Sequence, residues 1–186
     1  MATVSERRAT IDDLARYEGK AELIGGRIIP LMPTGRRPNL IAGRIFRSLA
    51  EFADGPGRGE VDTANMGFAV RELTSGRQSF APDVSCYLGP IPPDAMRFIA
   101  GPPTFAVEVR SESDHGPAAE ILLAAQRADY FEAGTLVVWD LDTRAEVIRS
   151  YASTAPDQPL DFTPGQIAHA EPAVPGWSLS VERMFA

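Results

Sequence analysis

Phe80-Ala81-Pro82-Asp83-Val84-Ser85-Cys86-Tyr87-Leu88 and Phe105-Ala106-Val107-Glu108-Val109-Arg110 decide the reading of this chain. Both are short apolar runs rich in β-branched and aromatic residues, the composition that suits a pleated surface. Each also carries one acid, Asp83 just before the first apolar core and Glu108 inside the second. A carboxylate in or beside a buried strand is costly unless something neutralises it, and a divalent metal does so directly. Arg110 follows Glu108 by two residues and so shares its strand face. Together these residues outline a metal-dependent hydrolase site.

Outward from these strands, the chain alternates helical and extended signals. Thr10-Ile11-Asp12-Asp13-Leu14 has a capping threonine with acids in the first turn, predicting a short helix over 11–17. Glu22-Leu23-Ile24 and Arg27-Ile28-Ile29-Pro30 flank Gly25-Gly26, a hairpin pattern. Between Pro38 and Asp54 the apolar positions 41, 45, 46, 49 and 52 recur with helical spacing, and Gly55-Pro56-Gly57 ends the run. Residues 60–71 and 80–88 are expected as strands separated by the turn Thr74-Ser75-Gly76-Arg77, and residues 104–110 as the next strand. A second long helix is expected from Gly116-Pro117 to Gly134, with proline tolerated at its first position. Leu136 to Asp140 and Glu146 to Tyr151 follow as a strand and its hairpin partner. Turns at Pro164-Gly165 and Pro175-Gly176 precede a final short helix. The fold class is α/β (α+β), a mixed β-sheet flanked by helices, in one domain over 1–186.

Bulk properties exclude several classes. The chain has 186 residues, 44% hydrophobic and 23% charged, as in ordinary globular proteins. No stretch reaches the roughly 20 apolar residues of a membrane helix, and Met1 to Arg8 lacks the apolar core of a signal peptide. With the single cysteine Cys86, no internal disulfide forms, which fits a cytoplasmic setting. Cys86 itself sits in an apolar strand and is expected in the core. A net charge of −7 argues against a general nucleic-acid coat protein but allows a local basic patch. The 18 basic residues include one lysine, Lys20. A phosphate loop, a His-Glu-x-x-His zinc pattern and paired metal-binding cysteines are all absent from the sequence.

Five segments in order resemble the Uma family, restriction endonucleases of the PD-(D/E)xK superfamily. They are Glu22-Leu23-Ile24-x-Gly26, Pro82-Asp83, Val107-Glu108-Val109 with Ser111, Tyr130-x-x-Ala133-Gly134 leading to Val138-Trp139-Asp140, and Pro175-Gly176-Trp177-Ser178-Leu179. The resemblance spans roughly residues 10–186. It implies a restriction-endonuclease-like core, Mg²⁺ (or Mn²⁺), DNA as substrate and a homodimer with two symmetric sites. It maps the metal carboxylates onto Asp83 and Glu108 and an additional acid onto Glu22. The basic residue usual four positions before the tyrosine is Gln126 here, and Pro38 stands near a place often held by histidine.

Each candidate residue has a catalytic and a structural reading. Asp83 and Glu108, with the Val109 carbonyl, would hold the metal; alternatively Asp83 caps a strand end and Glu108 pairs with Arg110 or Arg127. Arg110 is a poor base because its pKa lies above ~12, yet it can grip a phosphate or simply form an ion pair. Gln126 is expected on the apolar face of its helix with Ala119, Leu122 and Tyr130, orienting a water or bonding a strand carbonyl. Glu22 is either a third carboxylate of the site or an exposed hairpin residue. Lys20, two residues earlier, can stand in for the absent lysine. His115 follows the Glu108 strand in a loop that can face the cleft, and Arg127 is expected at the surface. Arg36, Arg37, Arg44 and Arg47 are candidates for phosphate contacts or for a solvated helix face. The function that emerges is a metal-dependent DNA endonuclease, the alternative being a catalytically inactive nuclease-fold interaction or DNA-binding module.

Overall fold

The computed structural model describes residues 7–186, and its organising element is a six-stranded mixed sheet. Residues 1–6, within the stretch 1–8 that reads against a signal peptide, lie outside the described residues. The strand order is β11 (Ala155–Phe162), β10 (Val147–Ala152), β9 (Val137–Asp142), β8 (Phe105–Val109), β6 (Val84–Tyr87), β3 (Glu60–Thr63). β8 and β9 run parallel; the other neighbours are antiparallel. The parallel pair needs a crossover, supplied by helix α3 (Pro117–Ala133).

Side-chain alternation divides the sheet into two faces. Phe105, Val107 and Val109 of β8, with Val137, Trp139 and Leu141 of β9, point to one face. Ile41, Ile45 and Leu49 of α2 (Arg36–Ala53) cover them, as the spacing of the sequence predicts. The C-terminal helix α4 (Val181–Phe185) and Trp177 complete this layer; the Trp177 ring lies 5.1 Å from that of Trp139 and 5.8 Å from Phe105. Cys86 is buried here, and burial raises its thiol to about 11, as befits a core residue. On the opposite face Ala106, Val138 and Tyr87 meet Tyr130 of α3, with Phe68, Phe80 and Ile99 alongside. That second cluster draws on a small sheet of β4 (Phe68–Ala69), β5 (Ser79–Phe80) and β7 (Ile99–Ala100).

The remaining elements follow local rules. Helix α1 (Ile11–Leu14) carries a capping box between Thr10 and Asp13, but is shorter than the expected 11–17. Strands β1 (Ala21–Ile24) and β2 (Arg27–Pro30) form the expected hairpin; Gly25 and Gly26 both take positive φ, which the tight turn requires. Gly134 ends α3 in a left-handed conformation, its N–H donating to Tyr130 and Phe131 carbonyls. Strands β12 (Ile167–His169) and β13 (Ser178–Ser180) pair near the C-terminus.

Two expected strands need correction, and one further strand is added. The stretch 60–71 is split into β3 and β4, which belong to different sheets, because the chain turns near Ala64-Asn65. The stretch 80–88 is likewise broken at Ala81-Pro82-Asp83, where β5 ends and β6 has not begun. Strand β11 was not foreseen: Pro156 and Pro159 argue against a strand interior, and the fold accommodates them at the sheet edge.

Candidate active site

Three carboxylates lie near one another where β6, β8 and β9 meet α3, and each is treated differently. Glu108 on β8 is paired in register with Asp140 on β9. Asp83 immediately precedes β6, and its backbone N–H donates to the Val107 carbonyl at 3.0 Å, which sets it beside Glu108. These acids occupy the face that α3 covers.

Asp140 is neutralised by structural cations. Arg110 Nε and Nη2 each donate to its carboxylate at 2.6 Å, a two-pronged contact. Arg127 Nη1 donates to the same carboxylate at 2.9 Å, and both arginines also reach Glu120. The Arg127 guanidinium lies 4.2 Å from the Tyr151 ring centre. Arg127 is therefore part of an ion-pair network rather than a surface residue, since Asp140 lies beneath it inside the buried strand β9. Arg110 is buried and directed onto Asp140, and the hydrogen bonds to that acid hold its pKa above the usual arginine value.

Glu22 is buried rather than placed on an exposed hairpin. One of its oxygens is bonded to Arg77 Nη1, and the other accepts from the Ala81 backbone N–H at 3.1 Å. Arg77 Nε also donates to Asp129 at 2.9 Å, making a buried acid–arginine–acid triad. Through Ala81, Glu22 holds the strand break from which Asp83 projects.

Among the described residues Glu108 meets only neutral donors. Its Oε1 accepts from Tyr130 Oη at 2.6 Å and from Gln126 Nε2 at 3.0 Å. Among the described residues no hydrogen bond reaches Oε2. Burial, and after it the negative charge of Asp83, pushes the Glu108 carboxyl up to about 8. Asp83 accepts from the Val109 backbone N–H at 2.9 Å and has Lys20 Nζ at 3.4 Å. It is thus the Val109 N–H that is tied to Asp83.

These groups line one pocket of about 250 Å³ that includes Lys20, Glu22, Asp83, Glu108, Val109, Arg110 and Gln126. Gln126 lies on the inner face of α3 with Leu123 and Tyr130. Leu122 is instead 72% exposed, since the inward row of the helix runs through Leu123, Gln126 and Tyr130. His115 lines an adjoining, larger cavity with Arg36 and Arg37. Its Nδ1 is 3.8 Å from Asp142. Arg37 is paired with Glu146, and Arg44 donates to the Met184 carbonyl.

The donor set can be tested against a divalent cation. Among the described residues no three of His, Cys, Asp and Glu converge as a ready metal cage. Mg²⁺ does not need one, since it is commonly held by one or two carboxylates and keeps several waters. Asp83 and Glu108 supply two carboxylates, and among the described residues Lys20 is the one cationic side chain hydrogen-bonded to either. Burial raises the Glu108 carboxyl first and the Asp83 charge adds to it; a bound cation would offset both effects. The residues fit the group.

Residues of this region that the sequence alone did not single out are Asp140, Asp129 and Arg77. The signal available was the two-residue period linking Arg110 to Glu108 and the acid closing the β9 run; neither identifies a partner across the sheet. Comparison with known proteins places the chain in a family and a fold. The family model described as "Uma2: Putative restriction endonuclease" matches residues 9–182. No curated protein matches the chain. Among solved structures, a "putative nuclease belonging to DUF820" from Anabaena variabilis ATCC 29413 superimposes with a TM-score of 0.72 at 19% identity. The match covers 95% of this chain and 97% of that one, and at this identity it bears on the fold.

Proposed function

The chain belongs to the Uma2 restriction-endonuclease family, and from this premise we propose that it is a metal-dependent DNA endonuclease. The observation that carries the reading is the Asp83–Glu108 pair, two neighbouring carboxylates short of positive charge, in a pocket open to solvent. In this reading Asp83 and Glu108, with the Val109 carbonyl, hold Mg²⁺ or Mn²⁺. The metal, when bound, acidifies a water and stabilises charge on the phosphate.

The protein's own residues prepare the pair. Tyr130 and Gln126 fix Glu108 Oε1 with two hydrogen bonds. The Val109 N–H fixes one oxygen of Asp83. Glu22 acts as a positioning residue through the Ala81 N–H. Arg110 anchors α3 to β9 through Asp140 and Glu120, so that Gln126 and Tyr130 stand over Glu108. A homodimer in the cytoplasm belongs to the same reading: two symmetric sites suit cleavage of two strands. The outward-facing Ile121 and Leu122 of α3 offer apolar surface for such pairing. Among the described residues no helix is long and apolar enough to cross a membrane.

Supercoiled plasmid incubated with Mg²⁺ or Mn²⁺ tests the proposal. Nicking by the parent, abolished by EDTA and in both Asp83→Ala and Glu108→Ala, is the expected result. Absence of cleavage by the parent across DNA forms and both metals would move the reading to an inactive nuclease-fold interaction or DNA-binding module.

A further inference from the structure

The cations around the pocket differ in what they are free to do. Arg77 is shared between Glu22 and Asp129. Arg110 and Arg127 both bridge Asp140 and Glu120. Gln126, the neutral residue on α3, already donates to Glu108. Lys20 stands apart: its ion pair with Asp83 is 3.4 Å long, beyond the ~2.7–2.9 Å of a well-formed charge-assisted hydrogen bond.

Its backbone, by contrast, is fixed. The Lys20 carbonyl accepts from the Leu31 N–H at 2.9 Å, just beyond the Ala21–Pro30 pairing that closes the β1–β2 hairpin. Lys20 and Glu22 are two residues apart and line the same pocket. A flexible four-carbon stem on a fixed backbone lets an ammonium follow a substrate, which a doubly paired guanidinium does not.

Resting on the nuclease reading, we infer that Lys20, the chain's only lysine, is a catalytic residue: its ammonium contacts a non-bridging oxygen of the scissile phosphodiester. In hydrolysis a water oxygen bonds to phosphorus and the bond from phosphorus to the leaving sugar oxygen breaks. The attacking water loses a proton to solvent and the leaving oxygen gains one from solvent. The Lys20 ammonium stays charged throughout and offsets negative charge that grows on the phosphate.

Lys20→Met and Lys20→Gln, a second replacement should the first fold poorly, are measured beside the parent and the double variant Lys20→Met/Gln126→Lys. Three readouts are taken: plasmid cleavage, Mn²⁺ affinity by titration, and duplex binding in Ca²⁺. Loss of one transition-state donor predicts a fall in kcat of about 100-fold. Mn²⁺ affinity should be unchanged or slightly higher, because Asp83 loses a competing cation. Lysine at 126 should restore part of the lost cleavage by returning a cation from the opposite wall. Cleavage by Lys20→Met or Lys20→Gln within threefold of the parent overturns the assignment and leaves the nuclease intact. Loss of Mn²⁺ binding in either variant overturns it too, by making Lys20 a support for Asp83. A parent that binds Mn²⁺ and DNA yet cuts nothing overturns the nuclease reading, and this inference with it.

Discussion

Glu108 should make the metal-free protein less stable as pH rises, and the size of the effect follows from its surroundings. Its carboxyl sits at about 8 in the folded chain against an ordinary 4.5, first through burial and then through Asp83. A raised acid contributes stability that is fully present below its unfolded value and is lost as pH climbs through its folded value. Across that window one extra proton is bound by the folded state, a slope of about 1.4 kcal/mol per pH unit. Between pH 5 and 7.5 the loss is thus about 3 kcal/mol, or roughly 6–12 °C in melting temperature for a chain of this length. Thermal melts in EDTA, run from pH 5 to 8 on the parent and on Glu108→Gln, measure it. Groups common to both proteins cancel, so the parent should fall more steeply and Glu108→Gln should be the more stable of the two at pH 7.5. Mg²⁺ should recover stability in the parent at the alkaline end and not in the variant. Parallel pH curves for the two proteins would refute the reasoning, because Glu108 would then ionise alike in the folded and unfolded chain.

Other expectations concern the surrounding network. Arg110→Met removes two of the bonds to buried Asp140 and should cost about 3 kcal/mol in urea unfolding; a loss below about 0.5 kcal/mol would make the contact incidental. Asp62 has a buried oxygen without a partner among the described residues, and burial followed by Glu60 raises it to about 6. Asp62→Asn should therefore stabilise the protein by about 1 kcal/mol at pH 7.5, with the gain vanishing below about pH 4, as pH-dependent urea titrations would reveal. Tyr130→Phe deletes a hydrogen bond that favours ionised Glu108. It should shift the Glu108-dependent loss of stability toward higher pH, and an unchanged midpoint would show that the 2.6 Å contact does not act on that carboxyl.

Much of the fold was legible because period and punctuation are local. The 41-45-49 spacing fixed the buried face of α2, and Gly116-Pro117 with Gly134 bounded α3. Gly25-Gly26 defined the hairpin for the same reason. The breaks at 64–65 and 81–83 and the proline-bearing edge strand depend on which sheet a segment joins, which no local pattern states. The site divides similarly. Asp83 and Glu108 stood out as acids in or beside apolar runs, and the structure brings them together with Glu22, Arg110 and Gln126 around one pocket. The partners of Arg110 and Arg127 did not stand out, because Asp140 reaches them only through the β8–β9 register and the descent of α3 onto the sheet. For Lys20, its rarity in the sequence pointed to the residue, but the hairpin had to fold for its ammonium to meet Asp83.

Whether the Asp83–Glu108 pair takes a divalent cation is the claim on which the account depends, and Mn²⁺ binding followed by electron paramagnetic resonance measures it without any assumption about substrate. The account predicts saturable binding at pH 8 that weakens at pH 6, as protons compete for Glu108, and that is lost in Asp83→Ala and in Glu108→Ala. Binding that persists in both variants, or no saturable binding by the parent at pH 8, would contradict it.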